Sequence, residues 1–123
     1  MIAALLVGVF GVAGALLRFA VDSWFAHRPG PHPHWPWATL TVNIVGSFII
    51  GLSIGVTDRL GLGPEWHAGL ATGLAGGLTT FSSWTTATVR LVSETRYRAA
   101  ALNVAANLLA GLAAAALGLS LAG

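Results

Sequence analysis

Polar residues interrupt the chain in three places, and the apolar runs between them are too long for a soluble fold. The first run extends from Ile2 to Phe25, with Arg18 and Asp22 its only charged residues. It meets HRPGPHPHWPW, residues 27–37, which holds four prolines, three histidines and two tryptophans. Proline removes a backbone donor and fixes φ, so this stretch reads as a loop. Trp35 and Trp37 suit the aromatic belt of a membrane interface. A second run, from Ala38 to Thr57, ends at Asp58-Arg59. The short loop LGLGPE follows, with Pro64 placed to open a helix. A third run covers Trp66 to Val92 and ends at SETRYR; a fourth covers Ala99 to Leu121. A membrane helix needs about 20 apolar residues. The pattern therefore predicts an all-α membrane protein of four transmembrane spans in a single domain, about 2–25, 38–57, 66–92 and 99–121, with no length left for a soluble domain.

Composition sharpens this. Charged residues make up only 8% of the chain and hydrophobic residues 55%, at a mean hydropathy of +0.77. A soluble domain carries about 25% charge. The first run lacks a basic leading segment, so it reads as a retained span rather than a secretory signal. There is no cysteine, which excludes disulfides and thiolate metal sites. The net charge of +2 is small and scattered, which argues against nucleic-acid binding. Asp22, Asp58, Glu65 and Glu94 all fall near span ends or in loops. Proton- and cation-coupled transporters need a buried acid, so a small multidrug transporter fits poorly and neutral or anionic substrates remain. His27, His32 and His34 lack a fourth ligand for a metal. No nucleophile–base pair or metal cluster suggests an enzyme.

The most unusual stretch is GGLTTFSSW, residues 76–84, midway through the third run. Two glycines weaken helix propagation by roughly 1 kcal/mol each relative to alanine. Thr79, Thr80, Ser82 and Ser83 can bond the backbone and offset a broken ladder. A break at that depth must face protein, water or an ion, because lipid has no hydrogen bonds to give. Freed carbonyls suit a cation. Amides, hydroxyls and ring edges suit an anion. A continuous, tightly packed helix is the alternative, since small residues are common in packed membrane helices. Ser47, Gly51 and Gly55 form one small-residue stripe, and Gly69, Gly73 and Gly77 another. Asn43, in the second span, needs a hydrogen-bond partner there. It can tie two helices or donate to a passing anion. Arg18 can gather anions at the interface or anchor the topology.

Three motifs occur in order: GVFGVAGALLR (residues 8–18), TLTVNIVGSFIIG (39–51) and GGLTTFSS (76–83). Together they resemble the Fluc, or CrcB, fluoride channel family, and the resemblance covers all four spans. It implies an antiparallel pair with two fluoride pores and third helices broken at the midpoint. The resemblance further implies a structural sodium ion held by main-chain carbonyls, here of Gly76 and Thr79. The pore residues it implies are Asn43, Phe81 and Trp84, with Thr80, Ser82 and Ser83 along a polar track and Arg18 near the entrance. Asn107, by its spacing to Gly111, stands where the family has a serine, and Asn103 lies one turn earlier. Trp84 departs from the family's usual phenylalanine.

Four short helices make a thin bundle, so a partner is expected: a second copy of this chain or an oppositely oriented homologue, within the lipid of the plasma membrane. Arg28, Arg90, Arg96 and Arg98 follow spans one and three, against Arg59 on the other side. Arginine bias orients membrane proteins, so this distribution raises the case of one fixed orientation and a heterodimer. A non-conducting accessory subunit is the remaining alternative.

Overall fold

A computed structural model describes residues 1–27 and 35–122. Arg28, His32 and His34 lie outside the described residues. Every regular element among those described is helical. They are α1 (Ile2–Ala26), α2 (Trp37–Leu60), α3 (Pro64–His67), a π-helical segment (Ala68–Ala75), α4 (Gly76–Leu78), α5 (Phe81–Ser93) and α6 (Tyr97–Ala122). Three helices, α1, α2 and α6, are long and apolar enough to cross a membrane.

The helix ends follow from local chemistry. α2 continues past Thr57 through Asp58 and Arg59, further than the charge pattern suggested. It stops at Gly61, which adopts the left-handed conformation at φ 65°. Leu62 N–H then reaches the Thr57 carbonyl at 3.0 Å and Gly61 N–H the Asp58 carbonyl at 3.4 Å. This is a Schellman closure, for which glycine carries no Cβ penalty. Pro64 opens α3 at its first turn, where its missing N–H costs nothing. α5 ends in the same closure, with Arg96 N–H on the Leu91 carbonyl and Thr95 N–H on the Val92 carbonyl, each at 2.9 Å. Here the left-handed residue is Thr95, at φ 57°.

Packing is backbone against backbone. α2 and α6 form the most extensive pairing, α1 lies on the π segment and α4, and α5 leans on α6 while barely touching α2. A Cβ on Gly51 would run into the main-chain oxygen of Ala115, and one on Gly118 into that of Phe48. A Cβ on Gly73 would stand 2.9 Å from the Val7 main-chain oxygen. Close approach of this kind, rather than apolar burial, holds helices together in lipid. The buried set fits that account. Apolar Val42, Ala75, Leu78, Leu91, Ala100 and Ala122 are matched by polar Thr39, Ser53, Thr57, Thr80, Asn103 and Asn107. Large apolar side chains face outward all along α1 and α6, as a lipid-facing or partner-facing surface requires.

Candidate ion pathway

The interruption in GGLTTFSSW falls at the two threonines, not at the glycines. Gly76 is helical, at φ −63° and ψ −39°. Thr79 (φ −74°, ψ 158°) and Thr80 (φ −144°, ψ 115°) are extended, and α5 starts at Phe81. The Thr80 hydroxyl accepts from Ser83 N–H at 3.1 Å and so caps α5.

The carbonyls of residues 76–79 lose their helical donors at this point, those of Gly76 and Thr79 among them. In a continuous helix Gly76 would accept from Thr80 N–H and Thr79 from Ser83 N–H. Thr80 N–H instead donates to Asn43 Oδ1 at 2.9 Å, and Ser83 N–H goes to the cap. The carbonyls of Gly76 and Thr79 are left without those partners.

Asn43 closes the break from α2. Its Nδ2 donates to the Thr80 carbonyl at 3.3 Å and to Asn107 Oδ1 at 2.9 Å, while its Oδ1 takes the Thr80 N–H. Both amide hydrogens are thereby engaged within the chain. The series continues along α6. Asn107 Nδ2 donates to the Asn103 carbonyl at 2.9 Å and to Asn103 Oδ1 at 3.1 Å. Asn103 Nδ2 donates to Thr88 Oγ1, and Thr88 Oγ1 to the Trp84 carbonyl, each at 2.9 Å. Asn103 is wholly enclosed. An amide buried in this way is tolerable only when bonded, and among the described residues no buried side-chain polar atom lacks a partner.

The aromatic pair lies beside this network. Phe81 and Trp84 meet edge to face, with centroids 5.8 Å apart at 76°. Ring edges are electropositive and can meet an anion. Phe81 is 74% exposed on the single chain. Trp84 is fixed, because its indole Nε1–H donates to the Asn103 carbonyl at 3.2 Å. Trp84→Phe keeps an aromatic ring but removes the pyrrole half of the indole and its hydrogen bond, so it is expected to lower stability by at least about 1 kcal/mol. Thermal unfolding in detergent measures this, and an unchanged midpoint would show that the indole bond contributes nothing.

Asn43, Thr79, Thr80, Phe81, Trp84 and Asn107 line one cavity of about 270 Å³. Ser82 and Ser83 open instead onto a neighbouring groove of about 300 Å³ along α5. Arg18 stands apart. It lines neither space and makes no hydrogen bond or ion pair among the described residues. Asn103 and Thr88 carry more of the network than their sequence positions advertised. The available signal was spacing, since Asn103 and Asn107 are four apart on α6 and Trp84 and Thr88 four apart on α5.

Comparison with known proteins agrees with the motifs. The family described as CrcB-like protein, Camphor Resistance (CrcB), matches residues 5–119. A fluoride-specific ion channel FluC of Renibacterium salmoninarum is 52% identical over 120 residues, covering 94% of this chain and 95% of its own. FluC 1 of Symbiobacterium thermophilum is 43% identical, covering 94% of each chain. FluC of Sorangium cellulosum is 37% identical over 94% of this chain and 91% of its own. With nearly the whole length matched, the chain belongs to the CrcB family.

Proposed function

We infer that the chain is a passive, fluoride-selective channel of the plasma membrane that lets fluoride leave the cytoplasm, and not an enzyme. The observation that carries this is the interruption at Thr79–Thr80, where hydroxyls, ring edges and the start of α5 converge. Fluoride is small, strongly hydrated and a strong acceptor. A pore must replace its water with donors that release the ion again, which hydroxyls and ring edges do. The positive end of the α5 dipole favours an anion at the same place. No lysine or arginine lies between Trp66 and Thr88 to trap the ion. The names of the similar proteins support the choice of fluoride.

In this reading the segments from Pro64 to Ser93 form a third span, broken at its midpoint, which brings the number of spans to four. Two chains pair antiparallel, and their breaks meet. The Gly76 and Thr79 carbonyls, freed of their helical donors, fit a hard cation that takes oxygen ligands. A sodium ion there would neutralise the carbonyl dipoles of both chains and hold the pair together. Asn43 acts on the pathway chiefly by holding Thr80 and Asn107 by holding Asn43, while Phe81, Trp84 and the Ser82–Ser83 hydroxyls face the ion. Arg18 contributes charge near one entrance.

A second reading is a subunit that needs an oppositely oriented homologue, favoured by Arg90, Arg96 and Arg98 crowding one end of α5 and α6. One experiment separates the two. Liposomes reconstituted with this chain alone and loaded with fluoride are expected to empty rapidly, and chloride-loaded ones to stay full. Silence from a monodisperse preparation would reject the homodimeric channel and favour the partnered subunit.

A further inference from the structure

The groove along α5 holds the only two hydroxyls of that helix that are left unused. α5 carries six hydroxyl side chains. Thr85, Thr88 and Ser93 donate to main-chain carbonyls one turn back, at 2.9, 2.9 and 2.8 Å. That is the ordinary resting place of a helical hydroxyl. Ser82 approaches the Thr80 hydroxyl at 3.4 Å. Ser83 and Thr86 make no side-chain hydrogen bond within the described residues, and both line the groove. In a chain set in lipid, a hydroxyl without a partner is unfavourable unless water or an ion supplies one.

Their placement forms a row. Ser83 and Thr86 are three residues apart and Arg90 is four further on, so all three share one face of the helix. Arg90 lines the far end of the groove, where its Nε donates to Glu94 Oε2 at 3.2 Å. Pro36, at the start of α2, borders the opposite wall and offers no N–H of its own. Two free hydroxyl donors leading to a guanidinium suit a small, hard-accepting inorganic anion. The Glu94 carboxylate offsets part of the arginine charge, so that the ion is attracted but not retained.

We propose that this groove is a vestibule for the transported anion, with Thr86 the donor that passes the ion between Ser83 and the Arg90 end. The proposal rests on the channel reading and adds two residues, Thr86 and Arg90, to its path. Thr86→Val removes the hydroxyl at nearly constant volume. Fluoride efflux from liposomes is expected to fall roughly fivefold, the worth of one net hydrogen bond, while Thr86→Ser stays near the parent rate. Thr85→Val is the control, because that hydroxyl is already spent on the Phe81 carbonyl. Arg90→Gln is expected to slow efflux in dilute salt and to match the parent in concentrated salt, since a surface charge acts through a screened field. Size-exclusion profiles check that each variant is folded, and Thr86→Ala carries the same expectation if the valine variant does not assemble. Parent-like efflux from Thr86→Val, or an equal loss from Thr85→Val, overturns the vestibule. A conducting parent indifferent to Thr86 rejects the vestibule alone, whereas a silent parent rejects the homodimeric channel and, with it, a vestibule in this chain alone.

Discussion

Asn43→Asp is expected to abolish fluoride efflux. Aspartate offers an oxygen where Asn43 Nδ2 now donates to the Thr80 carbonyl at 3.3 Å and to Asn107 Oδ1 at 2.9 Å. Both contacts become acceptor against acceptor, and each group left unpaired in a buried place costs about 1–3 kcal/mol. The charge matters more. A carboxylate about 4 Å from an anion, at an effective dielectric constant near 20, repels it by about 4 kcal/mol, close to a thousandfold in occupancy. Efflux from liposomes and the detergent melting point together test the point. More than about a tenth of the parent flux would show that Asn43 lies off the pathway, since even 1.4 kcal/mol should reduce it tenfold.

Gly51→Val is expected to prevent folding outright. The new Cβ would overlap the Ala115 main-chain oxygen and crowd Leu119 N at 3.0 Å. Neither obstacle is a side chain that can turn away. α2 and α6 would have to separate along the most extensive contact in the chain. Overpacking costs about 1–3 kcal/mol where side chains can yield and more where they cannot. The expected readout is loss of the monodisperse peak in size-exclusion chromatography. Gly8→Ala is the matched comparison, because nothing stands within 4 Å of its Cβ position, and it should elute like the parent. A well-folded Gly51→Val protein would mean that α2 and α6 do not need this close approach to hold together.

Much of the helical framework was legible because lipid imposes a simple rule. Apolar runs of the required length had to become helices, and α1, α2 and α6 did. The small-residue stripes were equally plain, and Gly51 and Gly73 do lie where backbones meet. Local detail was harder. The glycine pair at 76–77 looked like the weak point, yet Gly76 is helical and Gly77 packs against the Gly11 main-chain oxygen. The interruption falls at Thr79 and Thr80 because Asn43, 36 or 37 positions away in sequence, supplies the partner that makes it tolerable. Such a partner is invisible to any local pattern. The π turn over Ala68–Ala75 was illegible for another reason. Its sequence, AGLATGLA, has too few large side chains to reveal a change of period. Asn103 and Thr88 find each other across two helices, so spacing along either one hinted at a polar face without naming its partner.

The hold of Asn43 on Thr80 has a kinetic consequence. One side chain grips both the N–H and the C=O of the same extended residue, and Asn107 steadies that side chain in turn. Swinging α4 against α5 would mean breaking both bonds to Thr80 together. The seam between the two segments therefore behaves as a splint and not as a hinge. A carrier needs a hinge, since it exposes its cargo to one side and then the other, and its turnover rises steeply on warming because each cycle pays for a rearrangement. Passage beside a splinted seam has no such cycle. Its rate should climb with temperature only about as gently as the mobility of the ion in water.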